Sequence, residues 1–316
     1  MGHRIILMVL AAVIGVVGAL LLGRLLIPWL HRLKFGQPIR EAGPASHHVK
    51  AGVPTMGGVI FLVPMLAASF ILAGNRPVTW VLAGLAVGHA ALGFADDYLK
   101  VVRRVSTGLK ARYKLVGQVI LAGGFAWAAL VLTHGKPWAL PGGGDWSPGI
   151  LFVPIVMLAV MGATNAVNFT DGLDGQAGGT SVIAFLFYTA WAVNAGQFAV
   201  ALVALATAAA LVGFLRYNLH PARVIMGDTG ALMLGALLAG VAVLSQSVLL
   251  LPLVGGVFVA EVLSVVIQVA SFQLFGRRVF RMTPFHHHLE LSGWPEERVV
   301  TVFWVATALL ALIAWR

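Results

Sequence analysis

The chain has 316 residues, of which 59% are hydrophobic and only 10% are charged, with a net charge of +10 and no cysteine. A soluble domain carries about 25% charged residues, so this composition excludes an ordinary soluble protein and indicates an integral membrane protein. Disulfides and thiolate metal sites are excluded as well. The positive net charge does not require a nucleic-acid partner, because cytoplasmic loops of membrane proteins are rich in Lys and Arg.

Long uncharged runs predict an all-α polytopic membrane protein. A helix needs about 20 mostly apolar residues to cross a bilayer. The apolar–polar alternation of a membrane β-barrel is missing from runs such as "LVALATAAALVGFL". We predict about ten transmembrane helices in a single integral membrane domain, residues 1–316. The predicted spans cover residues 5–30, 53–73, 78–95, 114–133, 150–167, 181–195, 198–215, 230–246, 249–273 and 298–315.

The charged residues predict the orientation of these spans. Most of the 21 Lys and Arg residues lie in the connections that follow odd-numbered spans, so these connections should face the cytoplasm and both termini the outside. Nearly all acidic residues lie in the same connections, which the topology rule does not require. We therefore expect an active-site cleft at the cytoplasmic face. The outer connection 134–149 is rich in Gly and Pro, which predicts a turn or a short hairpin.

The first two cytoplasmic connections carry a lysine beside a glycine turn and a pair of adjacent carboxylates. In "HHVKAGVPTMGG", Lys50 precedes a stretch whose backbone N–H groups could hold phosphate; a topological lysine beside a helix start is the alternative. In "GFADDYLKVVRR", Asp96 and Asp97 should have different partners, because neighbours in a helix do not share a face. Lys100 and Lys114 could pair them, and Mg²⁺ binds carboxylate oxygen. The alternative is a solvated helix end with local salt bridges.

The third connection is the polar stretch "NAVNFTDGLDGQAGG". Asn165, Asn168, Asp171 and Asp174 recur at three-residue spacing, so in a helix they would follow one face. Glycines from about residue 172 onward predict that the helix ends there in a tight turn. Amide and carboxylate groups beside bare backbone suit the phosphates and base of a nucleotide, whereas a helix cap would explain only one of them.

In the fourth connection, Asp228 follows Gly227 in "MGDTG", just before the eighth span. It is predicted either as an N-cap or as a metal ligand, and Asn218 lies nearby in the same connection.

The fifth connection holds three consecutive histidines, in "MTPFHHHLE". Regular structure cannot aim three adjacent side chains at one ion, and no acid or thiol stands at zinc spacing. We expect these histidines to bind or neutralise a phosphorylated substrate. Glu261, inside the ninth span, is a functional candidate by its position, with helix packing as the alternative.

Taken together, "GVPTMGG", "DDYLK", "NAVNFTDGLDG", "MGDTG" and "MTPFHHHLE" resemble, in this order, the motifs of the phospho-N-acetylmuramoyl-pentapeptide transferases, the bacterial translocase I family. The resemblance runs from about residue 40 onward. It implies transfer of phospho-N-acetylmuramoyl-pentapeptide from its UDP-activated donor to undecaprenyl phosphate, giving lipid I and UMP in peptidoglycan synthesis. It also implies Mg²⁺ as cofactor and a homodimer in the bacterial inner membrane.

The resemblance further implies roles for individual residues. Asp228 would bind Mg²⁺, and Asp96 and Asp97 would lie beside the metal and the lipid phosphate. Either of them could act as a base, although a phosphate monoester is largely ionised at neutral pH. His287 is the fourth catalytic candidate. The implied substrate-binding residues are Lys50, Lys100, Lys114, Asn168, Asp171, Asp174, Asn218, His286 and His288.

Two departures from the family pattern and two rival functions remain open. Val53 and Gln176 stand where the pattern has Thr and Leu, which concerns fine specificity because no charge is lost. The nearest rival is a transferase that moves an N-acetylhexosamine 1-phosphate, such as N-acetylglucosamine 1-phosphate, from its UDP-sugar onto the same lipid. A cation-coupled transporter is the rival outside the enzymes, but it would want ionisable residues at mid-membrane. The CDP-alcohol phosphotransferase pattern fails, because "DGLDGQAGG" lacks its Ala-Arg pair.

Overall fold

The computed structural model describes residues 2–32, 52–103 and 108–316. These residues form mainly α-helices, and two short strands make up the only sheet among them. The helices are α1 Gly2–Arg32, α2 Gly58–Leu72, α3 Pro77–Val101, α4 Ala111–Thr133, α5 Phe152–Thr170, α6 Gln176–Asn194, α7 Phe198–Asn218, α8 Gly227–Leu244, α9 Leu251–Val254, α10 Gly256–Phe275, α11 Phe285–Glu290 and α12 Glu296–Ala314.

The helices confirm an all-α polytopic membrane protein. Within the described ranges, eight helices are long and apolar enough to cross a membrane: α1, α3, α4, α5, α7, α8, α10 and α12. The shorter α2 is also apolar, and α6 opens with a polar turn. The predicted span 249–273 is divided at Gly255, where α9 ends and α10 follows. The prediction of ten spans and their orientation stays a prediction.

Helix α8 lies at the centre of the bundle. Almost all of its residues are buried, as expected for a helix that is apolar on every side. Glycines allow its neighbours to approach closely. A Cβ at Gly93 of α3 would lie 2.1 Å from the backbone oxygen of Asp228, and one at Gly235 would lie 2.2 Å from the backbone oxygen of Ala163 in α5. This packing places the start of α8 directly against α3.

A β-hairpin marks the other end of α8. Strands β1 Trp138–Ala139 and β2 Asp145–Trp146 pair antiparallel, so of the predicted turn or short hairpin the hairpin is present. The Ala139 N–H donates to the Gln246 carbonyl at 2.8 Å, just beyond the last residue of α8. Because α8 has 18 residues, about 27 Å separates its two ends. The hairpin and Asp228 therefore lie at opposite ends of the bundle.

Candidate active site

The start of α8 is held by a backbone pairing between two segments that are distant in sequence. The Ile225 N–H donates to the Pro54 carbonyl at 2.9 Å, and the Gly57 N–H donates to the Ile225 carbonyl at 2.9 Å. Gly227 has φ +69°, and a Cβ there would lie 2.4 Å from Thr55 Oγ1. Only glycine fits this position without strain, so "MGDTG" and "GVPTMGG" form one unit.

Asp228 is the hub of the polar contacts at this end of the bundle. Its Oδ2 accepts from Lys114 Nζ at 2.8 Å and from Lys100 Nζ at 3.1 Å. Its Oδ1 accepts from Asn168 Nδ2 at 2.8 Å. The Asp228 side chain is 14% exposed, so it is held by charge-assisted hydrogen bonds and is still reachable from the surface.

Asp97, rather than Asp228, caps helix α8. Its Oδ1 accepts the backbone N–H of Asp228 at 3.2 Å, and its Oδ2 accepts the Thr229 N–H at 3.0 Å and the Thr229 hydroxyl at 2.7 Å. Asp228 lies within the first turn, and its side chain makes no capping bond. Of the two roles left open for Asp228, the N-cap is therefore wrong. The cap comes from a different helix and fixes where Asp228 points.

Asp96 has partners that differ from those of Asp97, as predicted for adjacent helical residues. Its Oδ1 accepts the Leu109 N–H at 2.7 Å, and its Oδ2 forms an ion pair with Lys100. Lys100 thus bridges Asp96 and Asp228. One carboxylate oxygen each from Asp96, Asp97 and Asp228 lies within 4.8 Å of the others.

The predicted tight turn lies between α5, which ends at Thr170, and α6, which begins at Gln176. The Asp174 N–H donates to Glu296 Oε1 at 2.6 Å, and Asp174 Oδ2 accepts the Ala222 N–H at 2.9 Å. Asn218, at the end of α7, is buried. Its Oδ1 accepts the Gly175 N–H at 3.2 Å, and its Nδ2 donates to the Val224 carbonyl at 3.0 Å. Asn218 therefore braces the turn.

The four polar residues of the third connection do not share one environment. Asn165 pairs with the buried Gln118 of α4, its Nδ2 donating to Gln118 Oε1 at 2.9 Å. Asn168 reaches Asp228 instead. Asp171 follows the last residue of α5 and is partly buried. The single helical face does not continue to Asp171 and Asp174, because the helix ends before them.

The three histidines of α11 point in three directions. His286 is fully buried beside Glu261, with Nδ1 and Oε1 3.1 Å apart. His287 Nδ1 lies 2.8 Å from Glu290 Oε2. His288 Nδ1 accepts the Arg281 N–H at 3.2 Å. The triplet does not converge on one ion, and burial removes His286 from the surface where a substrate would bind.

Residues 79–246 match the family model described as Glycosyl transferase family 4. Many relatives match the chain over nearly its whole length, including the transferases of three bacteria. The phospho-N-acetylmuramoyl-pentapeptide-transferase of Heliobacterium modesticaldum is 45% identical over 315 residues, covering 97% of this chain and 96% of that protein. The enzyme so named in Moorella thermoacetica is 47% identical, with coverages of 96% and 95%. That of Bacillus subtilis is 43% identical, with coverages of 95% and 94%.

The chain belongs to the phospho-N-acetylmuramoyl-pentapeptide-transferase family. This confirms the resemblance drawn from the five motifs. Four of the motifs that suggested this transferase family are brought together around the start of α8 and the turn after α5. In the fifth, the histidines lie on α11, which contacts α10 and α12.

The sequence did not predict some of the residues that lie at this site. One residue that it did predict, Lys50, lies outside the described residues. Thr229 makes two of the three cap contacts to Asp97, and its only sequence signal is that it follows Asp228. His220 and Glu296 join Asp174, with His220 Nδ1 3.3 Å from Asp174 Oδ2 and 3.6 Å from Glu296 Oε2. No spacing rule connects those three residues, because they come from three distant connections.

Proposed function

We propose that the chain transfers phospho-N-acetylmuramoyl-pentapeptide from its UDP-activated donor to undecaprenyl phosphate, giving lipid I and UMP. The observation that carries this proposal is the cluster at the start of α8. There, three carboxylates, two lysines and the Asn168 amide meet at one end of an apolar bundle. A lipid phosphate anchored by its tail and a soluble nucleotide can both reach such a rim.

In the reaction, a phosphate oxygen of the lipid attacks the phosphorus that carries the sugar. The bond from that phosphorus to the bridging oxygen of UMP breaks, so the diphosphate link passes to the lipid and UMP leaves. This chemistry depends on positioning and on neutralising charge. Lys100 and Lys114 present their ammonium groups where the phosphates would lie. Lys50, which lies outside the described residues, is proposed to add a third positive charge.

The donor set fits Mg²⁺, which takes oxygen ligands and uses one or two carboxylates. Asp228 would hold the ion, with Asp96 as second ligand, since a carboxylate oxygen of each lies within 4.8 Å of the other and both carboxylates pair with Lys100. The bound ion would supply charge neutralisation to the phosphates. Both oxygens of Asp97 are engaged by the start of α8, so we assign Asp97 to positioning Asp228.

The remaining site residues divide into contact and positioning roles. We propose that Asn168, Asp171 and Asp174 form the nucleotide end of the cleft, and that His287 and His288 contact the donor, His287 close to the reacting phosphates. Asn218 and His286 were predicted to bind substrate. Because Asn218 uses both amide atoms to brace the turn and His286 has no exposed surface, we assign them to positioning.

We further propose the setting in which this reaction takes place. We propose that the protein lies in the bacterial inner membrane as a homodimer and that its active site opens on the cytoplasmic face. The supporting observation for the face is that the connections rich in Lys and Arg lie on the same side as Asp228 in the predicted topology. The supporting observation for the membrane is the set of eight long apolar helices.

The test is UMP release by the purified protein in detergent, with undecaprenyl phosphate, Mg²⁺ and UDP-N-acetylmuramoyl-pentapeptide. We expect UMP that depends on the lipid and is lost with EDTA and in Asp228→Asn. UMP formed only from UDP-N-acetylglucosamine would assign the chain to the hexosamine branch instead. If folded protein releases no UMP from either donor, the enzyme proposal is wrong, and cation flux in liposomes tests the transporter.

A further inference from the structure

Glu261 is a buried acid inside α10 that the reaction described above does not use. Its side chain has no exposed surface. Its Oε1 accepts from Gln176 Nε2 at 3.1 Å and from the His286 backbone N–H at 3.3 Å. The His286 ring nitrogen Nδ1 lies 3.1 Å from the same oxygen. Glu261 thus joins the first residue of α6 to α11.

The His286 ring is also fixed from its other side. A Cβ at Gly172, in the turn between α5 and α6, would lie 2.2 Å from His286 Nε2. The ring is therefore held between the carboxylate of α10 and the bare backbone of the turn. Any larger side chain at position 172 would displace it, because the interior has no room for both.

The burial of Glu261 and His286 lowers the stability of a membrane protein unless their polar atoms are paired. A carboxylate buried in a membrane domain is unfavourable unless it is paired. In addition, Glu261 Oε2 and both ring nitrogens of His286 make no hydrogen bond in the part of the chain that the structure describes, so the 3.1 Å approach of Nδ1 to Oε1 is a close contact without hydrogen-bond geometry. An apolar pair would pack α10 against α11 without that cost. Helix packing alone therefore does not account for a Glu–His pair here.

We propose that Glu261 is a positioning residue that docks the histidine-bearing helix onto the nucleotide turn through His286. This inference rests on the proposed function and deepens it. One turn of helix carries all three histidines, so fixing His286 fixes the backbone positions from which the rings of His287 and His288 project. Gln176, which stands where the family pattern has Leu, adds a second contact to the same carboxylate.

The test is a double-mutant cycle in the UMP-release assay. Glu261→Ala and His286→Ala are each expected to lower kcat by about 10- to 100-fold, as is usual when a residue that orients a functional group is removed. If Glu261 acts through His286, the double variant should be no more than about twofold slower than the slower single variant. If the double variant instead loses kcat by the product of the two single-variant losses, the two residues act independently and the proposal is wrong.

Matched variants separate positioning from loss of folding. Rates are taken per folded protein after size exclusion. Glu261→Gln keeps an acceptor oxygen for the His286 N–H and should retain several times the activity of Glu261→Ala. Gln176→Leu removes only the second contact and should stay within about threefold of the parent. If the wild-type chain is active and Glu261→Ala keeps its kcat, this inference alone fails; an inactive wild-type chain would fail the proposed function.

Substitutions at two glycines, Gly172 and Gly162, test independently whether the His286 ring is held against the turn. Gly172→Ala should lower kcat by about tenfold by displacing the ring, and this loss should largely disappear in the His286→Ala background. The control is Gly162→Ala in α5, where an added Cβ meets nothing within 4 Å. A Gly172→Ala loss that persists undiminished without the His286 ring would contradict the proposed contact.

Discussion

The carboxylate of Asp97 caps the helix whose second residue is Asp228. Its two oxygens accept the backbone N–H groups of Asp228 and Thr229 at 3.2 and 3.0 Å, although Asp97 and Asp228 are 131 residues apart in the chain. A negative group at a helix N-terminus is favourable. Here it also sets the orientation of the carboxylate on which the lysines and Asn168 converge.

Replacing this cap should affect folding and activity together. Asp97→Asn loses the charge of the cap, and a hydrogen bond to a charged group contributes about 2 kcal/mol. We expect the apparent Tm in detergent to fall by about 5 °C and UMP release to fall at least tenfold. Asp145→Asn makes the same change on the exposed hairpin and should leave both unchanged. An inactive Asp97→Asn variant with parental Tm would instead indicate direct participation in the reaction.

The two lysines near the start of α4 should differ in importance. Lys114 donates to Asp228 at 2.8 Å, whereas Lys110 is exposed just before the helix. Lys114→Ala should lower kcat/KM by about 10- to 100-fold, the range expected for one charge-assisted contact. Lys110→Ala should change it by no more than about twofold. Equal losses would show that only the overall positive charge of this region matters.

Substitution of two asparagines on α5, one turn apart, should distinguish a role in activity from a role in packing. Asn168 donates to Asp228, and Asn165 donates to the buried Gln118. Asn168→Ala should therefore lower kcat by about tenfold with little change in Tm. Asn165→Ala leaves Gln118 without its partner and should lower Tm while the rate per folded protein changes little. The reverse pattern in the same two assays would contradict this division.

Metal binding should depend on Asp228. Among the residues that the structure describes, two groups of side chains have oxygen or nitrogen atoms close enough to share an ion: Asp96, Asp97 and Asp228, and separately Asp174, His220 and Glu296. We expect Mn²⁺, followed by electron paramagnetic resonance, to bind the parent and Glu296→Gln alike and Asp228→Asn at least tenfold more weakly. Weakening by Glu296→Gln alone would move the site to the second group.

Local features of the chain were predictable from the sequence. Long apolar runs without alternation predict helices in a bilayer, because a helix satisfies its backbone hydrogen bonds within one segment, whereas barrel strands alternate apolar and polar residues. The end of α5 near Thr170 follows from the glycines after it, and the hairpin follows from the Gly- and Pro-rich outer connection. The divergence of Asp96 and Asp97 follows from helix geometry alone.

The partners of these side chains were decided by the tertiary structure. Sequence spacing placed Asn165 and Asn168 on one helix face, yet one contacts α4 and the other contacts α8. It left Asp228 as cap or ligand, and it gave all three histidines a direct role at the substrate. Each of these outcomes depends on which helices lie side by side. Contacts such as that of Gly93 with the backbone of Asp228 determine this arrangement. Because the two residues are far apart in the chain, no local sequence pattern predicts their contact.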